Sequence, residues 1–417
     1  MQGWKLKITI AAVAVALLAA ACGKEDPAKR TSDTSDATGS ASVEAVDLRS
    51  ELTGLLTEHV FLAAEATGAA LRGDTEGFEA YAAALNGPSD SNTADLVRAI
   101  TSIYGDETGT AFDGLWRSEG HIPAVVAYTQ AVAKDDGAGA QKAVGDLLAY
   151  AKTFGETIAS VNENLPAAAV EDGVKHHITT LKTVIDAQKA KDPARAYSAL
   201  RLAYKHMAEF ATTLASATAQ KFPDRVDGDA MSQAAGLQAT LTSLLREHVF
   251  LASTATGAAL RGDMHAFTAA AAALNGPANS NTASIVGAIG SVYGGAVKTA
   301  FDGLWRSEGH IPAVVAYTQA IARDDSTGAE RAVGDLLAYA KTFGDTLNSV
   351  NENLPADAVT SAIEMHATTL KAVIDDQKAG DRTKESADLR AAVHHMSETA
   401  TTLADATVAK FPEKFPG

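Results

Sequence analysis

Eleven histidines and a single cysteine stand in a chain of 417 residues. Eight of the histidines form four pairs, each pair 189 residues apart: His59 with His248, His121 with His310, His177 with His366, and His206 with His395. His176, His265 and His394 have no counterpart; Met365, Glu76 and Lys205 stand in the corresponding places. Distances to the nearest turn signals put the paired histidines at one height. His177 lies 14 residues before Lys191 and His206 lies 15 after it. On two antiparallel helices joined there, each ring is about 21–22 Å from the turn. His59 lies 14 residues before Gly73, and His121 lies 14 before Asp135. His59, His177 and His206 also share helix faces with leucine, isoleucine, valine or phenylalanine. Imidazoles that converge in an apolar bundle need partners, because an unpaired buried polar group costs about 1–3 kcal/mol. A metal ion is one such partner, and neutral imidazole is its commonest protein ligand. The expected site is thus His59, His121, His177 and His206 in one half, with His248, His310, His366 and His395 in the other.

Ligands without thiolate suit a transition metal such as zinc, copper or nickel, with zinc or copper favoured. Haem held by two histidines is the alternative; with no CxxCH sequence it would be non-covalent. Carboxylates come next. Glu58 and Glu247 precede the first histidine of each set, and Glu209 and Glu398 follow the last by three residues. A di-iron bundle needs Glu-x-x-His on two helices plus two further glutamates. Here the order is reversed and occurs once per set, so Glu58, Glu209, Glu247 and Glu398 read as groups that orient imidazoles. The phosphate-loop, nucleophile-elbow and HExxH patterns are absent, and no catalytic residue is assigned. Asp113 and Arg117 are spaced to pair on one helix face. Trp116, Trp305, Tyr128 and Tyr317 read as core anchors, and Asn92 and Asn281 as helix caps.

The elements that must position these groups are helices, and they occur twice. LLTEHVFLAAEATGAALRGD from Leu55 returns as LLREHVFLASTATGAALRGD from Leu244, SVNENLP from Ser160 returns at Ser349, and the offset never changes. Apolar stripes at three- and four-residue spacing predict helices over 44–72, 75–86, 92–104, 107–134, 138–162, 167–190 and 193–221. Short connections imply antiparallel neighbours. The expected fold is therefore all-α, two tandem homologous antiparallel bundles at 44–223 and 237–413, joined by a linker at 224–236. AFDGLWRSEGHIPAVVAYTQA, from Ala111 and again from Ala300, is identical in both copies. Gly120 and Pro123 must kink or break the helix beside His121. That break either swings the ring into line with the others, leaves it as an exchangeable ligand on the solvent side, or makes it a cap for the next helix.

The first residues carry an address. Lys5 and Lys7 precede an apolar stretch, too short for a membrane span, that ends in LLAAAC. This resembles the bacterial lipobox, with Ala19 where leucine is usual. The resemblance implies a signal peptide at 1–21 and lipidation of Cys22. Residues 22–43, rich in Ser, Thr, Asp and Lys, read as a flexible tether. The implied location is the bacterial cell envelope, outside the cytoplasm, with a lipid on Cys22 as the membrane contact. A net charge of −16 argues against nucleic acid, whose phosphates need positive partners. No protein partner can be named.

The string L-L-x-E-H-V, then Y-G, F-x-x-L-W-R, H-I, N-x-N-L-P, and finally H-M and F-P resembles a group of poorly characterised exported bacterial helical-repeat lipoproteins. The resemblance implies secretion and an all-α repeat, and it carries over no catalytic residue. The expected function is non-catalytic binding of a transition metal, for sequestration, delivery or structure. The alternatives are an envelope adhesion or scaffold protein with histidines as ordinary core residues, a haem protein, and an enzyme of unrecognised type.

Overall fold

A computed structural model describes residues 42–117, 120–306 and 310–416. The expected signal peptide, Cys22 and the expected tether up to residue 41 lie outside the described residues. In the first copy the helices are α1 (Ala45–Arg72), α2 (Thr75–Asn86), α3 (Asn92–Tyr104), α4 (Asp106–Arg117), α5 (His121–Ala133), α6 (Gly137–Val161), α7 (Ala167–Lys189) and α8 (Pro193–Lys221). The second copy repeats them as α9 (Gln233–Leu260), α10 (Met264–Asn275), α11 (Asn281–Tyr293), α12 (Gly295–Arg306), α13 (His310–Ala322), α14 (Ser326–Val350), α15 (Ala356–Ala379) and α16 (Arg382–Lys410). The fold is all-α. Among the described residues, no helix is long and apolar enough to cross a membrane.

Local chemistry sets the boundaries. The side chains of Asp74, Asp136 and Asp192 accept from the backbone N–H groups of Gly77, Gly139 and Arg195 and start α2, α6 and α8. Each satisfies one of the free donors at a helix start. The expected helix over 107–134 is two helices, α4 and α5, with the break just before His121. Asn162, from the N-x-N-L-P motif, is fully buried. Its amide donates to Tyr104 Oη at 2.8 Å and to the Ala217 carbonyl at 3.1 Å, and its Oδ1 accepts from Asn164 N. Asn351 does the same with Tyr293 and Ala406. These motifs are knots that tie together the C-terminal ends of α3, α6 and α8 and of their counterparts.

The copies pack against each other. Residues 41–417 form one compact unit. α1 lies on α9, α2 on α16, and α10 on α8, the reciprocal pattern of a pseudo-twofold axis. Phe61 and Phe250, equivalent residues of the two copies, stack on each other with ring centroids 3.9 Å apart. Thr254 likewise donates to Glu65, its own counterpart, at 3.0 Å. This arrangement explains why α1 is buried continuously from Leu52 to Ala64: a helix surrounded on all sides cannot keep a polar stripe. Nor is 224–236 a free linker. Val226–Asp227 (β2) pairs in parallel with Val43–Glu44 (β1), so the end of the expected tether is also fixed. Val226 and Ala230 are buried, and the Ala230 carbonyl accepts from Arg49 at 2.8 Å.

Candidate metal centre

Three helices of each copy bring one histidine each to a common point. His59 comes from the middle of α1, His121 is the first residue of α5, and His177 lies mid-way along α7. Their rings are 5.2, 5.6 and 6.0 Å apart between centroids. His248, His310 and His366 repeat the triad at 5.2, 5.8 and 5.9 Å. One ring nitrogen from each histidine of a triad lies within 4.8 Å of the other two. Three nitrogens tetrahedrally bound at 2.0–2.1 Å would be about 3.3 Å apart, so rotations of the rings close the gap. Two buried triads of this kind could each hold a metal ion.

The helices are tied where the histidines need them. Tyr128 of α5 donates to Asp186 of α7 at 2.5 Å, and Lys182 holds the other carboxylate oxygen at 2.6 Å. Gln188 of α7 donates to the Ala64 carbonyl of α1 at 2.9 Å. In the repeated segment, Arg117 pairs with Asp113 as expected, at 2.6 Å, and also donates to the Asn86 and Gly87 carbonyls that end α2. That clamp sets Trp116, whose ring meets His59 edge-on at 5.0 Å and His121 at 4.8 Å. Tyr150 stacks on the far face of His121 at 5.2 Å and 12°. The identical segment therefore supplies a helix end, an aromatic wall and a candidate ligand to one site. His121 is buried, at 2% exposure, so it is not a solvent-side ligand.

These rings are short of hydrogen bonds. Nδ1 of His59 and of His121 and both nitrogens of His177 are buried with no partner, as are Nδ1 of His248, His310 and His366. Buried polar atoms in proteins are nearly always paired. Burial pushes the pKa of His121 down to about 4. Burial and the neighbouring imidazoles push His177 down to about 3. His59 is driven well below its ordinary value by burial, then by His121 and His177, with Glu58 and Asn92 opposing. His310 and His366 repeat these shifts, to about 4 and about 3. All six rings are thus neutral at pH 7, the form that binds metal.

The fourth expected ligand does not join. His206 Nε2 bonds the Gly173 carbonyl at 2.9 Å and its ring stacks on His176 at 4.1 Å. His395 Nε2 bonds the Ala362 carbonyl at 2.9 Å. Both are ordinary histidines satisfied by backbone. Their height was right but their direction was not: Leu202, one turn before His206, is 62% exposed. Glu209 and Glu398 are exposed and lie 3.7 Å from Lys205 and His395 respectively, away from the triads. Glu58 and Glu247 are buried beside the first ligands but make no bond to them. Glu58 accepts from Arg246 at 2.8 Å and Arg390 at 2.7 Å. Burial alone would raise its pKa, yet His394 and these two guanidiniums hold it well below the usual carboxylate range.

Asn92 and Asn281 are the residues that sequence reasoning misread. Ser91 and Ser280 cap α3 and α11. Asn92 is fully buried and donates to the Leu55 carbonyl at 2.8 Å and towards Glu58 at 3.4 Å. Asn281 donates to Leu244 and Glu247, both at 2.8 Å. Each lies beside the first triad histidine, and its own Oδ1 is unpaired. The SNT string repeated at the constant offset was the signal. No protein-family model, curated protein or solved structure matches the chain. The triads have to be read from their own chemistry.

Proposed function

We propose that this protein binds a transition-metal ion in each copy, through His59, His121 and His177 in the first and His248, His310 and His366 in the second. The observation that carries this reading is the set of buried, neutral imidazoles with ring nitrogens left unpaired in two equivalent triads. His206 and His395 supply the contrast, since they look as core histidines should. Three imidazoles without a thiolate favour zinc or copper, and they leave one coordination position open. Haem fits less well. The cavity that reaches His121 and His177 holds about 100 Å³, below the roughly 300–1,000 Å³ of cofactor pockets. The basic, apolar and cysteine pattern ending at Cys22 supports export and lipid anchoring, so the role is metal capture or delivery at the cell envelope.

Elemental analysis and metal titration of the purified protein test this. Two equivalents per chain are expected, falling to one in His177→Leu or His366→Leu and staying at two in His206→Ala. Failure to bind zinc, copper or cobalt at micromolar concentration would sink it. Loss of membrane association in Cys22→Ser tests the anchor separately.

A further inference from the structure

The first triad has an apolar cavity behind it. The cavity holds about 100 Å³ and is lined by His121 and His177 at one end, with Trp116, Phe112 and Phe154 along its walls. It is also lined by Thr108 and Ala111 of α4 and Thr157 and Ile158 of α6; Ala111 is exposed and the other three are partly exposed. Its lining thus joins partly exposed residues to two of the three candidate ligands. Trp116, whose indole N–H is buried without an acceptor, is part of its wall. An apolar cavity of about 150 Å³ takes up benzene, so this one suits a body of a few carbon atoms.

Charge selects the head of the occupant. Three neutral imidazoles do nothing to offset a divalent cation, and an uncompensated buried charge is costly. Glu58, the nearest buried carboxylate on α1, is already committed to Arg246 and Arg390. Resting on the metal reading above, we propose that the loaded first triad takes a short-chain aliphatic carboxylate as its fourth ligand. One oxygen reaches the metal, the other accepts from Trp116, and the tail lies in the cavity. No bond is made or broken beyond coordination.

The second copy is built differently. There the counterpart cavity, beside Phe301 and Trp305, holds about 70 Å³ and is lined by neither His310 nor His366, while a separate cavity of about 40 Å³ on the α13–α15 side is lined by both. Ile363 stands where the first copy has Val174 and lines the separate smaller cavity, whereas Val174 lines the cavity behind the first triad. The proposal therefore gives one carboxylate per chain, not two.

The test uses the full chain loaded with Co²⁺, whose visible spectrum reports the fourth ligand. Acetate, butanoate and hexanoate are titrated in turn. Affinity should rise about fourfold per added methylene while the tail still fits, with one equivalent per chain. Val174→Ile should weaken butanoate about tenfold, and so should Ala111→Leu in the exposed part of the lining, with Co²⁺ affinity unchanged in both. Affinity independent of chain length, two equivalents per chain, or no spectral response overturns the proposal and leaves the metal reading standing. If Co²⁺ itself does not bind, both fall together.

Discussion

Arg390, on the last helix of the second copy, donates from Nε to Oε1 of Glu58 at 2.7 Å, and Glu58 is the neighbour of His59 in the first copy. The pseudo-twofold axis repeats the relationship the other way: Arg201 donates to Glu247, next to His248, at 2.8 Å. Asn92 and Asn281 connect each glutamate to the flank of the adjacent triad histidine. Polar groups thus run from an arginine of one copy to the flank of a candidate metal ligand of the other. Orienting groups one step beyond the ligands commonly change metal affinity by about 10–100-fold.

The two chains are unequal, and that makes a prediction. Glu58 has a second guanidinium, Arg246 at 2.8 Å, where the first copy has Thr57; among the described residues Arg201 is the one arginine on Glu247. Removing one partner of a buried ion pair costs about 3–5 kcal/mol. Arg201→Met should therefore destabilise the protein more than Arg390→Met. It should also weaken metal binding at the second-copy triad, across the interface, about tenfold or more. Chemical denaturation and metal titration in a His177→Leu background, where the second site alone remains, give both numbers. Unchanged metal affinity at that second site would refute the cross-connection.

A second prediction has an unusual sign. Truncating or replacing a buried side chain normally destabilises a fold by about 1 kcal/mol or more. His177 has both ring nitrogens buried without partners, and each such group costs about 1–3 kcal/mol. His177→Leu removes them at similar volume. The metal-free protein should become more stable by about 1 kcal/mol or more, while the first site is lost. In excess metal the order should invert, because a ligand at a thousand times its Kd adds about 4 kcal/mol to the unsubstituted protein. Urea unfolding with and without chelator shows whether the crossover exists; a plain loss of stability in chelator would mean the ring is satisfied by something else.

Much of this was legible in the chain, and the failures have a common cause. Helix positions follow from local signals, such as Asp74, Asp136 and Asp192 as caps, and the repeat follows from simple identity. Counting residues to a turn gives a height along a helix, which placed His59, His121 and His177 together. It gives direction only through the apolar stripe, and the stripe misleads at His206, because Leu202, one turn before it, is exposed. Contacts between the copies left one readable trace: α1 has apolar or small residues on all its faces because it packs on α9 as well as on its own bundle. Arg390 and Arg201 carried no such trace, since an arginine on a helix reads as solvent-facing until its partner is known.

Proton linkage gives a third prediction. The pKa of His121 is lowered to about 4 and that of His177 to about 3, with His310 and His366 alike. In the unfolded chain these rings titrate near 6.5. Below that pH the unfolded state binds protons that the folded state refuses, so stability falls as pH falls. The metal-free protein should keep its full stability above about pH 7 and lose it progressively towards pH 4. Metal affinity of the folded protein should stay nearly flat from pH 8 to about 5, because protons do not compete for these nitrogens there. A site of ordinary histidines would lose metal between pH 7 and 6, and a titration that did so would contradict the burial.

The last prediction returns to the repeated segment. Gly120 has φ 139° and ψ −30°, a conformation side-chain-bearing residues rarely adopt, and a Cβ there would meet nothing closer than 3.7 Å, at Tyr150. The cost of Gly120→Ala is thus backbone strain, about 1–3 kcal/mol, rather than a clash. Relaxing the strain must turn the start of α5, and His121 is its first residue, stacked on Tyr150. Metal affinity at the first triad should fall together with stability. Gly114 lies six residues earlier, inside α4, with open space where its Cβ would be. Gly114→Ala should stabilise by about 0.5–1 kcal/mol through helix propensity alone and leave metal binding unchanged. One substitution type, applied twice within one motif, is expected to act with opposite signs. If both variants behave alike, the break before His121 does not position the ligand.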